Sequence, residues 1–118
     1  LEALAGESDA AGVSACTFEA WEGDSTLHAR AFAPGLGLRE DPVTGTAAGA
    51  CGAYLREVSA FDGELPEEMV FEQGHFVDRP GRIRVQVGAE VRVAGRAVTS
   101  LDGRVAVPPE EDDDIIEA

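Results

Sequence analysis

The sequence predicts an α+β fold in which a curved, mainly antiparallel sheet wraps around one central helix. Two observations indicate this fold: several short segments alternate polar and apolar residues, and one segment near the middle of the chain has helical spacing. The chain has 118 residues, a length at which a single domain is the default. We expect that domain over residues 1–108, followed by a flexible acidic tail over residues 109–118.

The first third of the chain predicts a short helical segment and a β-hairpin. Leu1–Ala5 has the composition of a helix end. Val13–Trp21 and Thr26–Ala33 carry the apolar and aromatic residues that strands favour, and they flank the turn Glu22–Ser25. A proline and two glycines then interrupt regular structure, so we expect Leu38–Thr46 to be a loop.

The central helix is predicted from Thr44 to Val58, because small and apolar residues recur there at helical spacing. Gly45, Gly49 and Gly52 lie in this segment, although each glycine costs up to ~1 kcal/mol of helix stability relative to alanine. We interpret these glycines as positions where a helix with very small side chains lies close against the surrounding sheet.

The last third of the chain is rich in strand patterns. Gly88-Ala89 fits a two-residue type II′ turn between two of the strands, and Asp102-Gly103 repeats a turn signal further on. The carboxylate run that follows Pro108 cannot pack in a core and gives the predicted acidic tail. The predicted strands are Met69–Gln73, Arg82–Val87, Glu90–Val93, Ala97–Ser100 and Arg104–Val107.

Charge excludes several classes of function. The chain has 23 Asp and Glu residues against 9 basic residues, all of them Arg, which gives a net charge of −14. Such a field repels the phosphate backbone and anionic lipids, so we expect no nucleic-acid partner and no membrane partner. Because molar salt shortens the Debye length to roughly 3 Å and removes self-repulsion, we expect a salt-adapted, halophilic protein. An ordinary acidic protein kept soluble by its charge is the alternative.

The cysteines and histidines predict neither a disulfide framework nor a metal site. Cys16 and Cys51 lie outside any metal-ligand spacing, and we interpret both as small buried packing residues. His28 and His75 are far apart in the sequence and also lack ligand spacing. With no signal-peptide pattern and no membrane span, a cytoplasmic location is the expectation.

The residues that could carry chemistry lie at the start of the central helix. A helix N-terminus offers unpaired N–H groups and a partial positive charge, so a ligand carboxylate fits on the N–H groups of Gly45, Thr46 and Ala47. Asp41 stands beside them and is a candidate to move a proton. The alternative is that Asp41 and Pro42 are a plain N-cap and first-turn proline, and the local sequence alone favours that simpler interpretation.

Five stretches of the chain share their order and spacing with a known family: Arg30–Pro34, Glu40–Ala47, Tyr54-Leu55, Glu72–Gly74 and Arg79–Gly81. They resemble the C-terminal half of the PhzF-like phenazine-biosynthesis family, and the resemblance extends from Leu1 to Pro108. Members of that family are similar in fold to diaminopimelate epimerase. The resemblance implies two similar lobes, each a helix wrapped in sheet, with the active site in the cleft between them.

The resemblance also implies acid–base isomerisation of a small carboxylate-bearing metabolite, without a cofactor. Asp41 matches the family's Asp, while Gly45 and Thr46 match its substrate-holding Gly and hydroxyl residue, with Thr where Ser is more frequent. Related two-thiol racemases have Cys where Thr44 stands, and a hydroxyl is too weak an acid to replace that thiol. Gly81 stands where the family often has Ser, so no role is assigned to its stretch.

The N-terminal lobe of the family, which carries the essential Glu, has no counterpart in the sequence. We expect that this lobe belongs to the same protein and is missing from the sequence. We also expect a homodimer, because an exposed cleft face left by the missing lobe favours self-association. The alternatives to a missing lobe are a lobe on a second polypeptide, two copies that bring two Asp41 side chains to one cleft, and a fold that survives without catalysis. Two hypotheses for function follow: half of an isomerase, or a stand-alone binding or structural module that performs no chemistry.

Overall fold

The computed structural model describes residues 1–109, and the predicted acidic tail lies outside the described residues apart from Pro109. Within them, two α-helices and six strands are arranged along the chain, with short 3₁₀ turns at Pro34–Leu36 and His75–Val77. The helices are α1 (Glu2–Glu7) and α2 (Gly45–Glu57), and the strands are β1 (Val13–Thr17), β2 (Leu27–Ala33), β3 (Leu38–Asp41), β4 (Met69–Gln73), β5 (Gly81–Val87) and β6 (Val91–Ala94).

The six strands form one open sheet, in which five follow the order β1-β2-β4-β5-β6 and the sixth, β3, pairs with β2 off this path. Four of its pairings are antiparallel, whereas β2 and β4 run parallel and bring His28 beside Glu72. β4 pairs with the first half of β2, and β3 pairs with the second half, where Ala31 lies opposite Asp41. The predicted α+β fold with a mainly antiparallel sheet and one main helix is confirmed.

Helix α2 packs on β5 and β6, and its glycines permit the close approach that the sequence predicts. A Cβ atom on Gly52 would lie 2.8 Å from Val85 Cγ1 and 3.3 Å from Met69 Cε. A Cβ atom on Gly49 would lie 2.9 Å from Val93 Cγ2. Both distances to valine are shorter than side chains tolerate without displacement. The core under the helix consists of Leu27, Ala29, Ala48, Leu55, Met69, Phe71, Ile83 and Val85.

Strand β1 is shorter than predicted, and part of the predicted loop is a strand. β1 ends at Thr17, because the chain turns there and Thr17 Oγ1 accepts a hydrogen bond from the Glu19 N–H. The segment expected as a loop contains β3, which continues the sheet along β2. Arg30 of β2 binds Glu40 of β3 through two bonds of 2.9 Å, and this bidentate pair joins the two strands.

The predicted two-residue turn between β5 and β6 is wrong. Val87 lies opposite Val91, so three residues separate the strands, and the Gly88 N–H donates to the Glu90 carbonyl at 3.0 Å. Gly88 lacks the positive φ that the first central residue of a type II′ turn requires. The longer connection therefore replaces the tight turn.

The second predicted hairpin, Ala97–Ser100 with Arg104–Val107, is also wrong. Residues 95–109 contain no strand, and their larger apolar side chains, Val98, Leu101, Val105 and Val107, are 86–91% exposed. Alternation predicts a strand only where a neighbouring surface covers the apolar face, and none of the described residues covers this one. Among residues 1–109, neither helix has the length and apolarity to cross a membrane.

Candidate active site

Asp41 is the last residue of β3 and lies just before the turn into α2. Its backbone is held in the sheet by pairing with Ala31 of β2. Pro42 follows, and the residue before a proline favours extended backbone, which suits the end of a strand. The strand end and the helix start are thus fixed close to each other by the local sequence.

A hydrogen-bond network links Asp41 to the helix start and to a neighbouring strand. The Thr44 hydroxyl donates to Asp41 Oδ2 at 2.6 Å. The Gln73 side-chain amide of β4 donates to the Asp41 carbonyl at 2.8 Å and to Thr44 Oγ1 at 2.9 Å. Gln73 is 2% exposed. Its buried side-chain amide therefore attaches the loop between Asp41 and Thr44 to β4. Local sequence patterns do not predict these roles for Thr44 and Gln73.

No side chain of residues 1–109 accepts a hydrogen bond from the first N–H groups of α2. Thr44 is the N-cap residue, yet its hydroxyl is bonded to Asp41 and forms no capping hydrogen bond. Thr46 is exposed, while Gly45 and Ala47 are half-buried. Asp41 and Pro42 are therefore not the N-cap and first-turn proline of the simpler interpretation. The arrangement instead leaves the helix N-terminus available for an anion.

An open groove of about 610 Å³ borders this helix start. It includes Gly45, but not Asp41, Thr46 or Ala47. Three arginines, Arg82, Arg84 and Arg96, line the same groove. Arg82 is already paired with Glu22 and Asp24, so Arg84 and Arg96 are the two lining arginines whose charge favours an anionic ligand.

A second polar cluster surrounds Glu72 of β4. From the strand pattern alone, Glu72-Gln73 is interpreted as a solvated strand end, but Glu72 is fully buried. Its carboxylate accepts hydrogen bonds from the Trp21 and Glu22 N–H groups and from His28 Nδ1. His28 lies opposite Glu72 in the parallel pairing of β2 and β4, which local sequence patterns do not predict.

The two histidines are neighbours despite their distance in the sequence. Their ring centroids are 5.2 Å apart, Trp21 packs against both rings, and Phe76 packs against His28. Within residues 1–109, His28 Nε2 and His75 Nδ1 are buried and have no hydrogen-bond partner. Their separation of 47 residues in the sequence does not predict this contact.

Glu22, Glu72 and His75 bring possible metal-ligand atoms within 4.8 Å of one another. The Glu22 carboxylate is bonded to Arg82 at 2.7 Å, and the Glu72 carboxylate already accepts backbone N–H bonds. A cation would have to displace these partners. We therefore assign no metal to this cluster.

Glu72 makes the stability of the fold depend on pH. Burial by itself raises the pKa of Glu72, but hydrogen bonds from the Trp21 and Glu22 N–H groups, His28 and Ser25 outweigh it and lower the pKa from 4.5 to about 2. Since the folded-state pKa is lowered, this stabilisation is complete above about pH 4.5 and is lost as the pH falls towards 2. The difference corresponds to about 3 kcal/mol.

We expect Glu72→Gln to remove most of the acid-dependent loss of stability. The amide cannot ionise, and its NH₂ group faces N–H donors, so the variant is also less stable at neutral pH by about 2–3 kcal/mol. Urea unfolding from about pH 5 to about pH 3 measures both effects. Glu67→Gln, at an exposed position, is the matched control. An unchanged pH slope in Glu72→Gln would contradict the role of this carboxylate.

The fold and the polar loop define an α+β lobe with its candidate site at the start of the central helix. A structure of the same class is the Bacillus anthracis phenazine biosynthesis protein of the PhzF family, with a TM-score of 0.54 and 30% sequence identity. That match covers 70% of this chain and 29% of the other. A family model described as phenazine biosynthesis-like protein, PhzC-PhzF, matches residues 2–103. The chain belongs to this family.

Curated relatives point to the same family. An uncharacterized isomerase of Clostridium acetobutylicum is 38% identical over 85 residues, which are 65% of this chain and 28% of the relative. An uncharacterized isomerase of Deinococcus radiodurans is 40% identical over 93 residues, which are 75% of this chain and 28% of the relative. The chain thus spans about a third or less of the length of the relatives it matches.

Proposed function

We propose that this chain is the C-terminal half of a cofactor-independent isomerase that moves a proton on a small carboxylate-bearing metabolite. In this proposal Asp41 is the proton-transfer group of this lobe, and the N–H groups of Gly45, Thr46 and Ala47 bind the substrate carboxylate. The Thr46 hydroxyl adds a hydrogen bond to the same carboxylate. Relatives named as isomerases support the reaction class.

The observation that carries the proposal is the bond from the Thr44 hydroxyl to Asp41 Oδ2. It orients the carboxylate towards the helix start, and no bond within residues 1–109 engages Asp41 Oδ1. It also occupies the one hydroxyl that would otherwise cap the helix, so the N–H groups remain available to a ligand. A proton acceptor thereby stands beside an anion site, as carbon-acid isomerisation requires.

The complete reaction needs a second group, which we propose lies on an N-terminal lobe of the same or another chain. Asp41 takes a proton from one substrate carbon, and the second group delivers a proton to another position, or the reverse. Side chains supply both transfers, so no cofactor enters the reaction. A homodimer with two facing copies of Asp41 is the alternative source of the second group.

Solvent exchange tests the reaction class. We expect the whole protein, incubated in D₂O with a panel of small carboxylic acids, to introduce deuterium at carbon into one of them, read by NMR. Absence of exchange across the panel would favour the non-catalytic binding module instead.

The intact mass of the protein from its natural source, compared with the 12.3 kDa of this sequence, tests for the additional lobe.

We also propose that the protein is adapted to high salt and works in the cytoplasm. The support is a net charge of −14 with all basic residues being Arg. We expect the free energy of unfolding to rise as KCl is added towards molar concentration, because screening weakens repulsion among carboxylates. Thermal unfolding is measured with KCl and with an equal molarity of sucrose. Sucrose stabilises proteins by preferential exclusion but screens no charge, so a larger effect of KCl reports screening. Destabilisation by KCl would contradict the proposal.

A further inference from the structure

The two cysteines lie side by side, which their positions in the sequence did not predict. Cys16 on β1 and Cys51 on α2 are free thiols with their Sγ atoms 3.3 Å apart. The interpretation of Cys16 as a buried packing residue is wrong, because it is exposed, whereas Cys51 is half-buried. Strand β1 is an edge strand whose last four residues are all exposed, so one thiol of the pair meets solvent.

We propose that Cys16 and Cys51 form a reversible disulfide, with a low-molecular-weight disulfide such as oxidised glutathione as the oxidant. A disulfide bond is about 2.05 Å long, so the two sulfur atoms must approach by a little more than about 1 Å. Cys16 is at an exposed edge, where its side chain is free to move.

The reaction proceeds in two exchange steps that balance. The Cys16 thiolate attacks one sulfur of the oxidant, which forms a mixed disulfide and releases one small thiolate. The Cys51 thiolate then attacks Cys16 Sγ, which forms the protein disulfide and releases the second small thiolate. Two protein thiols are oxidised, one small disulfide is reduced to two thiols, and the two protein protons pass to the released thiolates.

Exposure sets the order of the two steps. The Cys16 thiol is reachable by a solute, whereas burial, followed by the hydrogen bond with Cys16, raises the pKa of the Cys51 thiol to about 12. Cys51 therefore reacts poorly with a free oxidant. Once Cys16 carries the mixed disulfide, the neighbouring position of Cys51 gives its thiol a high effective concentration.

The disulfide would join the edge strand to the central helix. It closes a loop from residue 16 to residue 51 that contains β2, β3 and the turn with Asp41. Cross-linking restricts the unfolded chain more as the closed loop becomes longer, so the oxidised protein resists unfolding. In a reducing cytoplasm the two cysteines stay free thiols, and they form the disulfide under oxidative conditions.

The test is oxidation of the folded whole protein with oxidised glutathione, followed by acid quenching, alkylation of free thiols and tryptic digestion. Cleavage after arginine places Cys16 in the peptide that ends at Arg30 and Cys51 in Glu40–Arg56. We expect these two peptides joined by a disulfide in the monomeric protein. The Tm rises by roughly 5 °C or more, and dithiothreitol reverses the rise.

Two variants control the experiment. Cys51→Ser should leave the glutathione adduct on Cys16 without any cross-link, and Cys16→Ser, at an exposed position, should leave Cys51 unmodified and the Tm unchanged by the oxidant. A glutathione adduct on wild-type Cys16 with no joined peptides would overturn the proposal. Joined peptides found only in covalent dimers, or a wild-type protein that the oxidant leaves unmodified, would overturn it as well.

Discussion

Asp41→Asn in the whole protein abolishes deuterium exchange into the substrate, with an expected loss of about 10²–10⁴-fold, while the fold remains intact. The Thr44 hydroxyl can donate to the Asn oxygen as it does to the carboxylate, and Gln73 binds the backbone carbonyl of residue 41, which the change does not remove. The oxygen of the Asn amide is too weakly basic to accept the proton from the substrate carbon. Exchange followed by NMR and unfolding followed by circular dichroism measure the two expectations separately.

The control for this variant is Asp62→Asn, which changes an exposed Asp on a loop after α2. It makes the same chemical change and should exchange deuterium at the wild-type rate. Normal exchange by Asp41→Asn would remove Asp41 from the mechanism. If neither the wild type nor either variant exchanged deuterium, the binding-module hypothesis would replace the isomerase.

Gly74→Ala destabilises the protein by about 3–5 kcal/mol, the largest stability effect that the structure predicts. Gly74 has φ of +94°, and a Cβ atom there would overlap the Arg79 carbonyl and lie 2.6 Å from the Pro42 carbonyl oxygen. Both neighbours are backbone atoms, which cannot move aside as a flexible side chain does. Because Pro42 follows Asp41, the change should also displace the candidate active-site loop.

Gly37→Ala separates backbone conformation from packing. Gly37 has φ of +75°, but nothing lies within 4 Å of a Cβ atom added there. The free energy of unfolding of this variant should fall by only about 1–2 kcal/mol, which is the cost of placing alanine in the left-handed backbone conformation. Urea unfolding of both variants gives the comparison. Equal losses would mean that close packing around Gly74 contributes nothing.

The start of the central helix was predictable because its signals are local. Small residues at helical spacing lead to a helix that begins at Gly45, one residue after the predicted start at Thr44. The place of Asp41 beside that start follows from the short sequence between them. The bonds that hold it there were not predictable, since Gln73 reaches the loop from a strand about thirty residues later in the chain.

Features that depend on long-range pairing were not predictable from the sequence. Strand β3 has only four residues, three of them charged, and it forms because the second half of β2 is available beside it. The burial of Glu72 depends on the parallel register between β2 and β4. Conversely, the alternation of Ala97–Val107 gives no strand without a surface to cover it. Local pattern predicts which residues favour a strand, but tertiary contacts decide which of them form one.

The open sheet has a consequence for handling the protein near its isoelectric point. Within residues 1–109, β1 and β6 have no strand on their outer sides. Neither edge carries a proline or lysine, residues that commonly prevent pairing between molecules, and β1 has no charged residue at all. Mutual repulsion at a net charge of −14 is therefore the main barrier to edge-to-edge aggregation. Towards the sequence pI of about 4.3 that barrier weakens, so we expect edge-to-edge aggregation to begin at a lower protein concentration there than at neutral pH.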